Sequence, residues 1–264
     1  MATSTGPRKI VELPGEELAA LFGLISGSDS VELKVTLPEE AQRSAIAALG
    51  LDPLEVQIRQ VFFFDTPELA LNQAGIAVRA RRSQGRSGDT VVKLRPVVPQ
   101  ELPEDIRHSA SLKVEVDAMP GGYVCSASMK GRATNEDIRA LVGGKGHIRK
   151  LFSKEQRAYY TAHAPEGIAL DDLRVLGPIF VLKLVKVPAE LGRKLTVELW
   201  FLPDGSRILE LSTKCLPNEA FQVAMETRAH LEGVGLDLSG ETQTKTKTAL
   251  ELLSAELGTK DATA

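Results

Sequence analysis

The chain has 264 residues, 43% of them hydrophobic, and a formal net charge of -3. This is enough apolar material for one large core or two small ones, and the slight acidity gives no global reason to expect nucleic acid or an anionic membrane as a partner. No apolar run approaches the roughly 20 residues of a membrane span, and the polar start, Met1 to Arg8, is not followed by an apolar signal segment, so a cytoplasmic protein is expected. The two cysteines, Cys125 and Cys215, lie far apart and read as ordinary thiols, not as a disulfide or a zinc site.

After the polar tail, 14–25 reads as a short helix ended by Ser26-Gly27-Ser28. A strand over 30–37 follows, in which Val31, Leu33, Val35 and Leu37 alternate with Ser30, Glu32, Lys34 and Thr36. Strand side chains alternate between faces, so Glu32 and Lys34 share one. Pro38-Glu39-Glu40 opens a helix that runs to about Leu49 and stops at Gly50. Residues 56–64 read as a strand ending in the turn Asp65-Thr66-Pro67, whose Asp can accept bonds from nearby backbone N–H groups.

Strands over 76–82 and 90–95 are joined by a glycine-containing loop and form a hairpin. Their apolar positions, Ile76, Val78 and Ala80, then Val92 and Leu94, oppose Arg79 and Arg81, then Lys93 and Arg95. In the strand over 111–117, Leu112, Val114 and Val116 oppose Lys113, Glu115 and Asp117. Pro120-Gly121-Gly122 breaks the pattern, and Thr134 opens a helix reaching Val142. Strands are then expected over 149–162, 168–175, 179–187, 195–202 and 207–214, the last two joined by the turn Pro203-Asp204-Gly205-Ser206. Helices over 218–233 and 246–257 close the chain.

Eight to ten strands in mostly hairpin order with little helix predict an α+β protein built on an antiparallel sheet that closes into a barrel. One face is apolar and the other ionic. The pattern leaves open whether the ionic face meets solvent or a lumen, because a charged lumen is tolerable only when hydrated or filled by a counter-charged ligand.

The run Val31-Glu32-Leu33-Lys34-Val35, then Phe62-Phe63-Phe64-Asp65-Thr66, then Val78-Arg79-Ala80-Arg81, then Val92-Lys93-Leu94-Arg95, in this order, resembles the CYTH superfamily, the triphosphate tunnel metalloenzymes. The resemblance implies an eight-stranded antiparallel β-barrel with flanking helices and inward-facing charges. It divides the chain into an extension at 1–29, a tunnel domain at 30–258 and a tail at 259–264. It further implies a small-molecule triphosphate or polyphosphate on the basic residues and Mg²⁺ or Mn²⁺ on the glutamates, with hydrolysis of the terminal phosphate as the usual activity.

Carried over residue by residue, the phosphate-binding set is Lys34, Arg79, Arg81, Lys93, Arg95, Lys154, Arg157, Lys183, Lys214 and Lys247, with Lys245 a further basic candidate. The metal set is Glu32, Glu115, Glu198 and Glu210, and Asp171 would orient the attacking water. Two departures stand out. Ser30 replaces the first glutamate of the family's Glu-x-Glu-x-Lys signature, and Val181 and Lys183 stand where a Glu-x-Glu strand is expected after Gly177. These losses favour, as the alternative to a hydrolase, a weakened polyphosphate-binding sensor; a structural domain whose lumen charges neutralise one another is the third reading.

The remaining motifs point to ordinary structure. Gly143-Gly144-Lys145-Gly146 lacks the spacing of a phosphate loop, and His108, His147, His163 and His230 show no ligand spacing. Trp200 and the Phe62 to Phe64 run read as packing residues.

Overall fold

The structure, a computed structural model, describes residues 15–238 and 245–261; the polar start with the proline expected to open the first helix, and the end of the expected tail, lie outside the described residues. In chain order the elements are α1 (Gly15–Ser26), β1 (Ser30–Leu37), α2 (Glu39–Ala48), β2 (Gln57–Asp65), the one-turn α3 (Ala70–Gln73), β3 (Ile76–Ser83) and β4 (Arg86–Leu94). There follow α4 (Glu104–Arg107), β5 (Leu112–Met119), β6 (Gly122–Ala133), α5 (Asn135–Val142) and α6 (Lys154–His163). The chain ends with β7 (Arg174–Lys186), β8 (Leu195–Phe201), β9 (Arg207–Cys215), α7 (Ala220–Gly233) and α8 (Lys245–Asp261). No described helix is long and apolar enough to cross a membrane.

The strands form one closed barrel in the order β1-β5-β6-β4-β3-β2-β7-β8-β9. Where eight antiparallel strands were expected, there are nine, and β1 pairs with β5 in parallel over Ser30↔Glu115 to Leu33↔Ala118. The extra strand is β6. Its apolar positions Cys125, Ala127 and Met129 alternate with Ser126, Ser128 and Lys130, but the Ala, Ser and Gly of this strand carry little strand propensity, and Pro120-Gly121-Gly122 at its entrance reads as a break. Pairing Met119 with Gly122 across Pro120-Gly121 places β6 antiparallel to β5.

Two other expectations fail for identifiable reasons. Residues 149–162 form not a strand but a short 3₁₀ turn and then α6, started by a capping box in which Ser153 Oγ accepts from the Gln156 N–H and Gln156 Oε1 accepts from the Ser153 N–H. Buried Gln156, Tyr159 and Tyr160 mark one face of that helix. The strands expected at 168–175 and 179–187 are instead a 3₁₀ turn followed by the single strand β7. Gly177, at φ +123°, carries β7 past a register shift on β2 between Val61 and Phe63, and a Cβ there would meet the Val61 carbonyl at 2.9 Å.

The apolar positions face outward and the helices cover them. Val78, Val92, Val114 and Val116 share a core with Ile25 of α1, Ile138 of α5 and Tyr159 of α6, while Leu37, Leu209 and Leu211 pack with Ala45 of α2 and Leu231 of α7. A third apolar cluster joins the inward-facing Val61, Phe63, Val181 and Trp200 to Ala249, Leu250 and Leu253, so α8 closes one end of the barrel. As expected, Asp65 accepts from the backbone N–H groups of Thr66, Leu71 and Asn72, which fixes the turn after β2.

Gln156 keys helix α6 to the barrel. Fully buried Gln156 accepts from the Thr90 hydroxyl at 2.9 Å and donates to the carbonyls of Thr90 and Met129 at 3.1 and 3.0 Å. Gly131 makes room for it, since a Cβ there would lie 2.2 Å from Gln156 Oε1. Gln156→Ala should therefore lower stability by about 3 kcal/mol, because it strands several buried polar groups at roughly 1–3 kcal/mol each. The midpoint of urea unfolding measures this loss.

Candidate functional site

Because strand side chains alternate, the pairing that turns Leu33, Val78, Val92 and Val114 outward turns Lys34, Arg79, Lys93 and Glu115 inward. The lumen has a volume of about 620 Å³, and eleven Lys and Arg but only six Asp and Glu line it, so cations prevail although the whole chain is slightly acidic. The structure thus brings together Lys34, Arg79, Arg81, Lys93, Arg95, Lys183 and Lys214 with Glu32, Glu115, Glu198 and Glu210. Lys247 reaches only the rim, 67% exposed and 3.9 Å from Glu251.

Three predicted residues lie elsewhere. Lys154 and Arg157 are exposed on α6, where Arg157 donates to the Phe152 carbonyl at 2.7 Å, so the helix in place of the expected strand takes both away from the lumen. Asp171 sits in the turn before β7, accepting from the Arg149 N–H and pairing with Arg149 and His147 at 3.3 and 3.5 Å. It is outside the tunnel and orients nothing there.

At one end of the charged zone Asp117, 1% exposed, meets Lys34 at 3.1 Å, Lys93 at 3.6 Å and Arg95. Burial alone would raise this carboxyl, but the charges of Lys93, Lys34 and Arg95 hold it well below the usual carboxylate range. For Lys34 burial is likewise outweighed, here by Asp117, Glu32 and Glu210, and the ammonium is held above the ordinary lysine range. Lys93 goes the other way: burial, only partly offset by Asp117, lowers it to about 7.

Around the barrel, Glu115 accepts from Lys214 at 2.5 Å and lies 3.8 Å from Lys130, and Ser30, in place of the family's glutamate, donates to the same carboxylate at 3.4 Å. Glu32 is held by Lys34 at 3.2 Å and Lys214 at 3.8 Å. Glu198 lies 3.6 Å from Arg59 and 3.8 Å from Lys183, and accepts from Trp200 Nε1 and from Lys245. Burial opposes its ionisation, yet Lys245 and Lys183 keep it well below the usual range. Glu210 accepts from Lys245 at 2.6 Å.

Arg81 is tied to Asp89 at 2.8 Å, whereas Arg79 makes no hydrogen bond or ion pair with any described residue. Burial and neighbouring Arg81 lower the Arg79 guanidinium to about 10, so it stays charged at neutral pH.

A divalent ion fits this donor set poorly. Each of the four predicted metal-binding glutamates is already in contact with a lysine or arginine, and no group of three His, Cys, Asp or Glu able to hold an ion forms among the described residues. The departures from the family signature have local explanations. Val181 belongs to the apolar plug around α8, and Lys183 faces Glu198 across the β7–β8 pair.

Sequence reasoning missed Arg59, Asp117 and Lys130 as site residues. Arg59 shares strand parity with Val61 and Phe63, and Asp117 with Glu115, so the period-two pattern already put both on faces of interest. Lys130 was hidden with β6.

No family model matches the chain, and no curated protein sequence matches it. Among solved structures, the putative adenylate cyclase of Bacillus halodurans is similar at a TM-score of 0.58 and 12% identity, over 84% of this chain and 97% of that one. The putative adenylyl cyclase of Hippeastrum, reported to have a dominant triphosphatase activity, is similar at a TM-score of 0.55 and 18% identity, over 80% and 91%. At such identities the likeness is one of fold. With the closed barrel and its inward-facing charges, it shows that this chain shares the closed-barrel fold of these two structures, in keeping with the resemblance carried by its motif order.

Proposed function

We propose that the tunnel binds a small-molecule triphosphate or short polyphosphate through its cationic wall, without a divalent metal, as a binding module and not as an efficient hydrolase. The observation that carries this reading is Arg79, a half-buried guanidinium in the lumen with no ion pair to any described residue, backed by Arg81 and an excess of lumen cations. A guanidinium is a rigid fork of donors suited to phosphate oxygens, and an unpaired one facing a cavity lacks the anion that would complete it. Arg59, Lys130 and Lys183 would take further oxygens. In each, burial lowers the affinity for the proton, and a bound polyanion would restore it.

Turnover has less support. Phosphoryl transfer needs charge neutralisation and an oriented water. The lumen supplies the first, but its carboxylates are engaged by cations and Asp171 lies outside. The triphosphatase activity reported for the Hippeastrum protein makes phosphate release the assay that separates the two readings.

With tripolyphosphate and EDTA together, thermal denaturation should show stabilisation of about 2.7 kcal/mol at a hundredfold excess over Kd, a rise of roughly 5–10 °C in Tm. Arg79→Ala should weaken binding roughly tenfold to a hundredfold, the equivalent of about 1.5–3 kcal/mol for charged hydrogen bonds. It should not lower the stability of the free protein, since no ion pair to a described residue is broken. No shift with any polyphosphate would reject the reading, and rapid phosphate release would replace it with a hydrolase.

Lys93 adds a pH dependence. Its folded-state value of about 7 lies below the ordinary lysine value, so near pH 8 the free protein holds it mostly neutral. A polyanion favours the charged form, so binding should take up a proton, and affinity should fall as pH rises through 7 to 9. Titration calorimetry in buffers of different ionisation enthalpy measures this uptake, and Lys93→Met should remove the part due to Lys93.

A further inference from the structure

Helix α8 carries a cation of its own into the tunnel. Lys245 is its first residue, and the ammonium lies 2.7 Å from Glu198 Oε2, 2.6 Å from Glu210 Oε1 and 4.8 Å from the centre of the Trp200 ring. Glu198 and Glu210 are direct cross-strand partners on β8 and β9, so both carboxylates enter the lumen at the same level and converge on one point. The indole covers a third side, a favourable surface for an ammonium.

Packing places Lys245 there as firmly as charge does. Ala249, Leu250 and Leu253 follow on α8 and are buried in the apolar plug with Val181 and Trp200. Seating these residues carries the first turn of the helix to the carboxylate pair. The Lys245 side chain is only 14% exposed, and the carboxylates it bridges are 15% and 9% exposed.

We infer that Lys245 is the resident cation of this tunnel, holding the position between Glu198 and Glu210 that a divalent ion would need, so that such ions are excluded while α8 is seated. Mg²⁺ would bind at about 2.0–2.1 Å from the same oxygens, so ion and ammonium compete for one space. Arg59 and Lys183, at 3.6 and 3.8 Å from Glu198, add like-charge repulsion to the exclusion. Unlike a metal, a tethered ammonium is supplied by the chain itself.

The test is a Mn²⁺ titration of the full chain followed by electron paramagnetic resonance, with no phosphate present, so its outcome is independent of whether the lumen binds polyphosphate. The wild-type protein should leave the free-ion signal intact up to about 1 mM, weak for a site of hard oxygen ligands. Lys245→Met with Lys183→Gln should bind Mn²⁺ at least about tenfold more tightly, and adding Glu210→Gln should remove that gain. Tight Mn²⁺ binding by the wild-type protein, or no gain in a folded double variant, overturns the inference. Emission from the single tryptophan, Trp200, reports whether the plug is intact. If the double variant does not fold, Glu210→Gln in the wild-type background decides: Mn²⁺ binding that this change weakens would show that the ion, and not Lys245, holds the carboxylates.

Discussion

In a barrel whose inner wall is ionic, a desolvated charge is costly unless it meets an opposite one, and Asp117 is where this constraint is most severe. Its carboxylate is 1% exposed, and a lone ion in that position would cost several kcal/mol. Lys34 reaches it from β1, and Lys93 and Arg95 from β4 and the residue beyond. These cations bracket β5 on both sides of the parallel β1–β5 seam that closes the barrel. Closure of the sheet and neutralisation of its interior therefore depend on the same contacts.

The remainder of the architecture follows from turning the usual barrel inside out. Apolar side chains on the outer face must be covered, and the helices do this in two patches, one built on α1, α5 and α6, the other on α2 and α7. The lumen divides into a charged zone and an apolar end that α8 plugs. The plug accounts for Val181, a hydrophobe where the resembled family places a carboxylate, because that position packs with α8 and Trp200 and faces no ion.

The charge arrangement differs between the two sides of the lumen. Around Glu198 and Glu210 the cations are committed to carboxylates, and both ammonium and indole groups satisfy them. Around Arg79 the cations outnumber their partners, which is an unstable arrangement for an isolated interior and a suitable one for receiving an anion. The low proton affinity of Lys93 belongs to the same imbalance: Asp117 is shared among three cations, and the one whose desolvation is least offset yields its proton first.

The sequence alone determined what a period of two can encode. The alternation in 30–37, 76–82, 90–95 and 111–117 placed Glu32, Lys34, Arg79, Arg81, Lys93 and Glu115 on one face, and that face is the lumen wall. Where side chains are small or the period changes, the local signal gave out. Strand β6, rich in Ala, Ser and Gly, was missed, and a capping box at Ser153 and Gln156 was overlooked in favour of a strand, which misplaced Lys154 and Arg157. The alternation by itself did not say which way the ionic face points, which the motif resemblance implied and the closed barrel settles; tertiary structure alone decided that β1 and β5 run parallel and that Lys245 lies between Glu198 and Glu210. The physical reason is range: alternation and capping act over a few residues, whereas barrel closure and the pairing of charges 35 to 47 residues apart exist only once the whole sheet has formed.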